Sequence, residues 1–353
     1  MKDLDRRQFL LVAGKWIALA GLAGASPALS ACGRALSSET ETSTAESEAS
    51  TTSPSETTAS TVATSSSTAV SATATTLPAT SSTKSVSPDL AVITGDDPAA
   101  NVRAAMAMMG GMERFVKKGA KVVVKPNVLN GQKPETATTT NPDVMSAVIK
   151  MCFEAGAGSV TVFDNPTVAA RPAFEVSGLD KAASAAGATM KYLSNRDFRT
   201  YKIPEGKLLT EWPLVADALE ADVFINVPIA KTHSVTKLTM SMKNLMGIMG
   251  GSRGQIHYQI DTKLVDLNTL VKPHLVVLDA YRVLFRNGPT GGNPADVKLA
   301  KTVVIGTNQA SIDAYGCSFF DMQPADVPHI KEAGERGIGE IDVSKLTIQK
   351  GTA

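Results

Sequence analysis

Short, unalternating runs of β-branched and apolar residues recur between residues 121 and 305. They read Lys121-Val122-Val123-Val124, Ser159-Val160-Thr161-Val162-Phe163, Val223-Phe224-Ile225-Asn226-Val227, Leu275-Val276-Val277-Leu278 and Val303-Val304-Ile305. Runs of this kind suit strands covered on both faces. Before and between them the apolar spacing changes to three and four. Asp97-Pro98 reads as an N-cap followed by proline at the first helical position, ahead of Val102, Ala105, Met106 and Met109. Asn141-Pro142 repeats the device before Val144, Val148, Met151, Cys152 and Ala155. Ile260, Leu264, Leu267 and Val271 form a third stripe, and Ile312, Tyr315, Gly316 and Phe319 a fourth. Strands alternating with helices predict an α/β fold, an open and mostly parallel sheet with helices on both faces. The stretch from about 165 to 220 is less regular and is expected to hold an insertion or small subdomain.

The first 88 residues follow a different pattern. Asp5-Arg6-Arg7-Gln8-Phe9-Leu10 resembles a twin-arginine export signal, with Arg6 and Arg7 as its pair. A mild apolar stretch from Phe9 to Leu29, broken by Gly14, Lys15, Gly21 and Gly24, suits a processed signal better than a permanent membrane helix. It ends in Leu29-Ser30-Ala31-Cys32, which resembles a bacterial lipobox. That resemblance implies cleavage before Cys32 and lipidation of its sulfur; the competing reading is a chance cysteine beside a signal-peptidase site. Residues 33–88 contain 31 Ser or Thr and 9 Ala in 56 positions and no aromatic residue. Such a tract cannot bury enough apolar surface to offset chain ordering, so a disordered linker is expected. Its r.m.s. reach would be roughly 40 Å. The organisation expected is therefore signal with lipobox (1–32), linker (33–88) and α/β domain (89–353). The partners are the twin-arginine translocase and, through a lipid anchor, the outer face of a bacterial membrane.

Charge and cysteine usage narrow the classes further. Residues 89–353 carry 29 Lys and Arg against 27 Asp and Glu, too balanced for a broad nucleic-acid surface but compatible with a local basic pocket. Three cysteines without a C-x-x-C pair exclude a disulfide scaffold, a zinc ribbon and a self-contained iron–sulfur cluster. Cys152 and Cys317 lie on or beside apolar stripes and read as buried, inert thiols.

In open α/β sheets, ligands sit beyond the carboxyl ends of the strands. Those ends present Lys125-Pro126-Asn127, Asp164-Asn165-Pro166, Pro228 leading to Lys231-Thr232-His233, Asp279, and Gly306-Thr307-Asn308. Each has a plainer reading: Lys125 as a solvated lysine, Asp164 and Asn308 as helix caps, Asp279 as a turn former. The segment from Lys231 to His257 is the richest in chemistry, with two of the four histidines, three lysines and an arginine. Lys231, Lys237, Lys243 and Arg253 are candidate partners for an anionic ligand, as are Lys125, Asn127 and Asn244. Gly250-Gly251-Ser252-Arg253-Gly254 could cradle a carboxylate or phosphate on its amides, although it lacks the Walker pattern. His233 and His257 are candidate acid–base groups and could equally be ligands for a divalent metal with Asp164, Asp266 or Asp279; the plainer reading of each is a structural histidine. Met240, Met242, Met246 and Met249 read as core or pocket wall. His274 and His329 read as structural.

These residues carry a family resemblance. Gly110-Gly111-Met112, Lys125-Pro126-Asn127, Thr140-Asn141-Pro142, Pro228 to His233, Lys243 to Gly247, Asp266-Leu267, Asn287-Gly288-Pro289 and Asp313-Ala314 resemble the domain of unknown function 362. The resemblance covers roughly residues 90 to 350. Some members of that family carry a ferredoxin-type cysteine module, which this chain lacks. The chain also departs from the family's Gly-rich, acidic stretch at Ala280 to Arg286. Three functions are compatible with all this. One is an exported enzyme acting on a small anionic metabolite or envelope component, with Lys125, Lys231 and Lys243 binding the anion, His233 moving a proton, and Asp164 and Asp279 orienting or coordinating. The second is a non-catalytic solute- or metal-binding lipoprotein, and the third an assembly protein using the domain as a spacer. By residue type alone, lysine and histidine also admit a nickel-cofactor chemistry like that of lactate racemase.

Overall fold

The computed structural model describes residues 87–353. The export signal, Cys32 and nearly all of the linker lie outside the described residues. Twelve strands follow in order: β1 Leu90–Thr94, β2 Lys121–Pro126, β3 Ser159–Val162, β4 Thr189–Met190, β5 Phe198–Lys202, β6 Glu211–Val215, β7 Val223–Val227, β8 Ile229–His233, β9 Lys237–Thr239, β10 Leu275–Leu284, β11 Val297–Gly306 and β12 Ile348–Thr352. The α-helices are α1 Pro98–Met108, α2 Pro142–Glu154, α3 Ala170–Ser177, α4 Leu179–Ala185, α5 Ala216–Glu220, α6 Ser241–Asn244, α7 Ile260–Leu270, α8 Gln309–Gly316 and α9 Pro328–Glu335. Ten strands form one sheet in the order β12-β1-β11-β10-β7-β2-β3-β4, with β8 and β9 branching from β10.

The central pairs β10–β7, β7–β2, β2–β3 and β3–β4 are parallel, as the unalternating valine runs predict. The sheet is mixed because β11 runs antiparallel to both β10 and β1. Successive side chains of one run bury on opposite faces. Val122 and Val124 pack with Val102, Met106, Val144, Val148 and Phe174 from α1, α2 and α3. Val123 and Phe224 pack with Ile260, Leu264 and Leu267 of α7, while Val276 and Leu278 pack with Ile312 and Ile330 of α8 and α9. Helices therefore cover both faces of the sheet. The two proline-led helix starts form as expected: Asp97 accepts from the amides of Ala99 and Ala100, and Asn141 from that of Asp143. Cys152 and Cys317 are buried, and burial pushes both thiols up to about 12. No described helix is long and apolar enough to cross a membrane.

Two features differ from the pattern read off the chain, and the irregular region expected after residue 165 takes a definite form. Lys231-Thr232-His233 lies on a strand, not in the loop closing β7. Pro228, without an N–H, ends β7, and its carbonyl accepts from the Asp279 amide at 2.9 Å. The chain then restarts as β8, pairing with the far half of β10, where Leu284 lies beside Lys231. That far half is the departing stretch Ala280 to Leu284, which extends β10 well past Asp279 through an irregularity at Ala280/Arg282. Finally, the irregular region after residue 165 holds α3, α4 and a separate antiparallel pair, β5–β6.

Asp266, considered above as a metal ligand, is fully committed elsewhere. Its carboxylate accepts from the amides of Lys207, Leu208 and Leu209 at 2.8–2.9 Å and from Arg336 Nη1 at 2.7 Å. These bonds hold its carboxyl below the ordinary range against the opposing effect of burial. They staple an irregular loop to α7 and α9. Replacing Asp266 by Ala strands three amides and a guanidinium, so a loss of about 3–5 kcal/mol is expected in urea unfolding. A loss under about 1 kcal/mol would contradict the staple.

Candidate functional site

The carboxyl ends of β2, β3, β7 and β8 meet the α6 segment, and a buried ion pair lies where they meet. Lys125, the last lysine of β2, is fully buried. Its Nζ lies 2.8 Å from Asp164 Oδ1 and donates to the Pro126 carbonyl at 2.8 Å and to Asn244 Oδ1 at 3.0 Å. Burial lowers the Lys125 pKa, and the Asp164 charge opposes that shift. The second Asp164 oxygen accepts from the Val128 amide at 2.8 Å, fixing the chain just after β2. Gly247 closes over the pair. A Cβ there would sit 1.9 Å from Asp164 Oδ1 and 2.6 Å from Lys125 Nζ, so only glycine lets the helical turn approach so closely.

Above this floor lies a cavity of about 490 Å³. Lys231, Lys243, Arg253, His233 and His257 all line it, with Asn127, Asp164 and Asn244 at its base. Lys231 is 1 % exposed and donates to Asn127 Oδ1 at 2.8 Å and to the Thr138 carbonyl at 2.5 Å. Burial, reinforced by the charge on Lys243, lowers its pKa to about 7. Lys243 is 8 % exposed, and its Nζ has only the Met246 sulfur at 3.5 Å. It has no carboxylate partner among the described residues. Burial and then the Arg253 charge bring it down to about 8. Arg253 spends Nη1 on the carbonyls of Asn165 and Met246 and Nη2 on that of Pro166. One Nη2 hydrogen and the Nε hydrogen have no such acceptor.

His233 is half-buried, and its Nδ1 accepts from the amides of Val235 at 3.0 Å and Thr236 at 3.3 Å. An accepting Nδ1 carries no proton, which places the single proton of the neutral ring on Nε2. Desolvation, and then the charges on Lys243 and Lys231, lower its pKa to about 3. His233 is thus a neutral hydrogen-bond donor at physiological pH, not a group that titrates there. His257 is also lowered, by burial first and by Lys243 second.

Positioning comes from polar groups well inside the core. Asp313 on α8 accepts from the Ser241 and Met242 amides at 2.7 and 2.9 Å, anchoring the turn that carries Lys243 and Asn244. Asn244 Nδ2 donates to Asn226 Oδ1 at 2.7 Å, and its Oδ1 also receives Asn127 Nδ2 at 2.8 Å. Asn226 in turn donates to Gln309 Oε1 at 3.0 Å, and Gln309 to Asn268 Oδ1 at 2.6 Å. The relay is continuous from α7 to Lys231.

The structure brings together most of the residues singled out from the sequence, with four corrections. Lys125 lies beneath the cavity and does not line it. Asp279 is fully buried away from it, accepting from the Asn141 amide at 2.7 Å and the Tyr281 amide at 3.0 Å. Burial raises its pKa to about 6, and its place is at the start of α2, not against a ligand. The glycine loop is pinned, not open: Gly250 N–H donates to Pro213, and those of Arg253 and Gln255 to Gly251 and Ser252. Gly250 also abuts the Phe198 ring, so the loop is a brace against β5–β6 and contributes only Arg253, Gly254 and His257 to the cavity. Among the described residues, no three His, Cys, Asp or Glu side chains are grouped to hold a metal ion, so His257 is not part of such a ligand set. Leu129, Thr167, Thr239, Gly247, Pro289 and Thr290 also line the cavity and were not foreseen as ligand contacts. Pro289 and Thr290 follow a cis Gly288–Pro289 bond within the Asn-Gly-Pro motif, the one signal that pointed to that wall. Met240 and Met242 are core, and Met246 is pocket wall.

The depressed lysines tie stability to pH. Lys231 binds its proton with an ordinary value of 10.5 when unfolded and about 7 when folded, so between these values the unfolded chain holds more protons. Its contribution is present above pH 10.5 and is lost as pH falls towards 7. The ligand-free protein should therefore gain stability across this window, and Lys231→Met should flatten the gain by on the order of a few kcal/mol. Urea titrations of both proteins at several pH values measure the difference; parallel curves would exclude a depressed Lys231.

Residues 122–318 match the family described as Domain of unknown function (DUF362). Over 248 residues the chain is 29% identical to a Synechocystis sp. protein named as thylakoid-associated, covering 65% of this chain and 72% of that one. Among solved structures, the lactate racemase apoprotein from Thermoanaerobacterium thermosaccharolyticum aligns with 12% identity and a TM-score of 0.39, over 66% of this chain and 57% of that one. A Thermotoga maritima protein aligns with 12% identity and a TM-score of 0.30, over 52% and 51%. The chain thus spans little more than half of each of those two proteins. The Lys-Thr-His and Lys-Asn blocks that line the cavity fall inside the matched region, which takes in more than half of the chain, and the chain belongs to the DUF362 family.

Proposed function

We propose that the cavity binds a small organic anion and moves a proton on it, on a domain held at the outer face of a bacterial membrane. The observation that carries this reading is Lys243. A buried ammonium facing a cavity without a carboxylate partner is costly until an anion arrives. Arg253, with two hydrogens unspent, and the Nε2–H of His233 are donors of the same sign along the same cavity. Lys231 is suited to the proton transfer. As a neutral amine it directs both hydrogens at Asn127 and Thr138, which leaves its lone pair as the one tetrahedral position unspent. A pKa of about 7 matches a base working near neutrality. His233 would then hold charge developing on a substrate oxygen as a neutral donor, in place of the titrating role expected from sequence.

The same cavity would serve a non-catalytic solute-binding protein, and the two readings differ in turnover alone. Thermal shift with propionate, pyruvate and inorganic phosphate as probes tests the shared part. Stabilisation by one of them is expected, and Lys243→Met should weaken its binding roughly ten- to a hundredfold. Equal affinity in the variant would remove the unpaired lysine as the anion's partner.

Membrane attachment rests on the twin-arginine and lipobox resemblance, with support from the relative named for thylakoid association. The full chain is expected to fractionate with membranes after export, and Cys32→Ser to release it. Membrane recovery unaffected by the change would rule out acylation of this sulfur as the anchor.

A further inference from the structure

Two cavity lysines are desolvated, and their surroundings prepare them for different chemistry. Lys231 is bound at both of its amine hydrogens by fixed acceptors, Asn127 Oδ1 and the Thr138 carbonyl. Turning that nitrogen into an imine would remove hydrogens those buried acceptors need. Lys243 has no such commitment. Its nitrogen touches only a thioether, so loss of its hydrogens strands no acceptor. Asp313 fixes the backbone just before it, and Asn244, the next residue, is locked into the relay beneath. The nitrogen is therefore held by its anchored turn, more than nine-tenths buried, at the wall of a cavity that also carries Arg253 and His233.

We propose that Lys243 is a nucleophile that forms a reversible imine with a 2-oxo acid bound in this cavity. The inference rests on the anion-binding reading above and names its substrate class. In the step, the Nζ lone pair attacks the carbonyl carbon and a C–N bond forms, while one amine hydrogen passes to the carbonyl oxygen and makes it a hydroxyl. The hydroxyl then leaves with the remaining amine hydrogen as one water, and a C=N bond replaces C=O. A proton from solvent gives the iminium, so no oxidant or reductant enters. The Nε2–H of His233 is the donor suited to the oxygen as it gains charge. The unspent Arg253 hydrogens suit the carboxylate. The iminium keeps the positive charge of Lys243, so the anion retains its partner, and it draws electrons from the adjacent carbon, from which Lys231 can take a proton. Desolvation beside a second cation, the arrangement around Lys243, is a known way to hold a lysine unprotonated for this chemistry.

The test is borohydride trapping. The full chain is incubated near neutral pH with pyruvate and sodium cyanoborohydride, digested, and mapped by mass spectrometry. One reduced pyruvyl adduct at Lys243 is expected, in large excess over exposed Lys202 and Lys345, which act as internal standards of ordinary amine reactivity. Lys243→Arg keeps a positive charge but has no amine able to form the imine, and should lose the adduct. Thermal shift with pyruvate and propionate separates the two ideas. Stabilisation by either acid with no adduct at Lys243, or with adducts only at exposed lysines, overturns the imine and leaves the anion cavity standing. No stabilisation by either acid or by phosphate, and no adduct, overturns both.

Discussion

A lysine ammonium is stable inside a protein only if something answers its charge or its proton is given up, and this domain gathers three of them around one carboxylate. Asp164 pairs directly with Lys125, its second oxygen is spent on the Val128 amide, and only its charge reaches Lys231. Lys231 and Lys243 are left to shed their protons or to wait for an anion. The rest of the site follows from that imbalance. Gly247 must be glycine to seal the one satisfied pair, and His233 is kept neutral by desolvation first and by the two potential cations that face it. The near-zero net charge of the chain hides this, since it averages a cationic cavity over a balanced surface.

Holding such a cluster requires the core to be polar where it would ordinarily be apolar. The side-chain amides of Asn127, Asn244, Asn226, Gln309 and Asn268 pass hydrogen bonds from Lys231 to α7. Each amide has a donor and an acceptor end, so fixing one end of the chain orients every member. Removing one would leave partners unsatisfied on both sides, a penalty larger than the worth of a single bond. Asp313, whose pKa burial raises to about 6, does the same for the backbone by anchoring the Lys243 turn. The relay thus joins the helix layer to the strand ends and sets the lysine positions from behind.

The sheet was legible because valine runs and proline-led caps are local signals. Val122 to Val124 and Asp97-Pro98 report on their own few residues, and both appear where expected. The candidate site was legible to the extent that strand ends mark it: Asn127, Asp164, Lys231 and Lys243 converge on it. What the sequence concealed depends on contacts across long separations. That Lys125 turns under the floor is decided by Asp164 and Asn244, 39 and 119 residues away. That Asp279 serves α2 is decided by Asn141, 138 residues earlier. Pro228 was misleading for a different reason. A missing N–H ends one strand and says nothing of the chain resuming as another, and Lys231 and His233 sit on that second strand.

The stretch that follows Asp279 has a definite physical role. Ala280 to Leu284 does not line the cavity; it is the far half of β10, and Leu284 pairs beside Lys231. The Leu284 carbonyl also accepts from the Thr232 hydroxyl, and that hydroxyl accepts from Gly288 N–H at 3.0 Å. Gly288 approaches Thr232 so closely that a Cβ would lie 2.0 Å from its carbonyl oxygen. Pro289 and Thr290, the next residues, form cavity wall. The departing strand therefore acts on the site in two ways, through the placement of Lys231 and through the position of the wall opposite. Both routes end at the space in front of the cavity lysines and His233. A change there would move Lys231 and the Pro289–Thr290 wall while leaving the Lys125–Asp164 floor in place, because that floor is held by Val128, Pro126 and Asn244 instead.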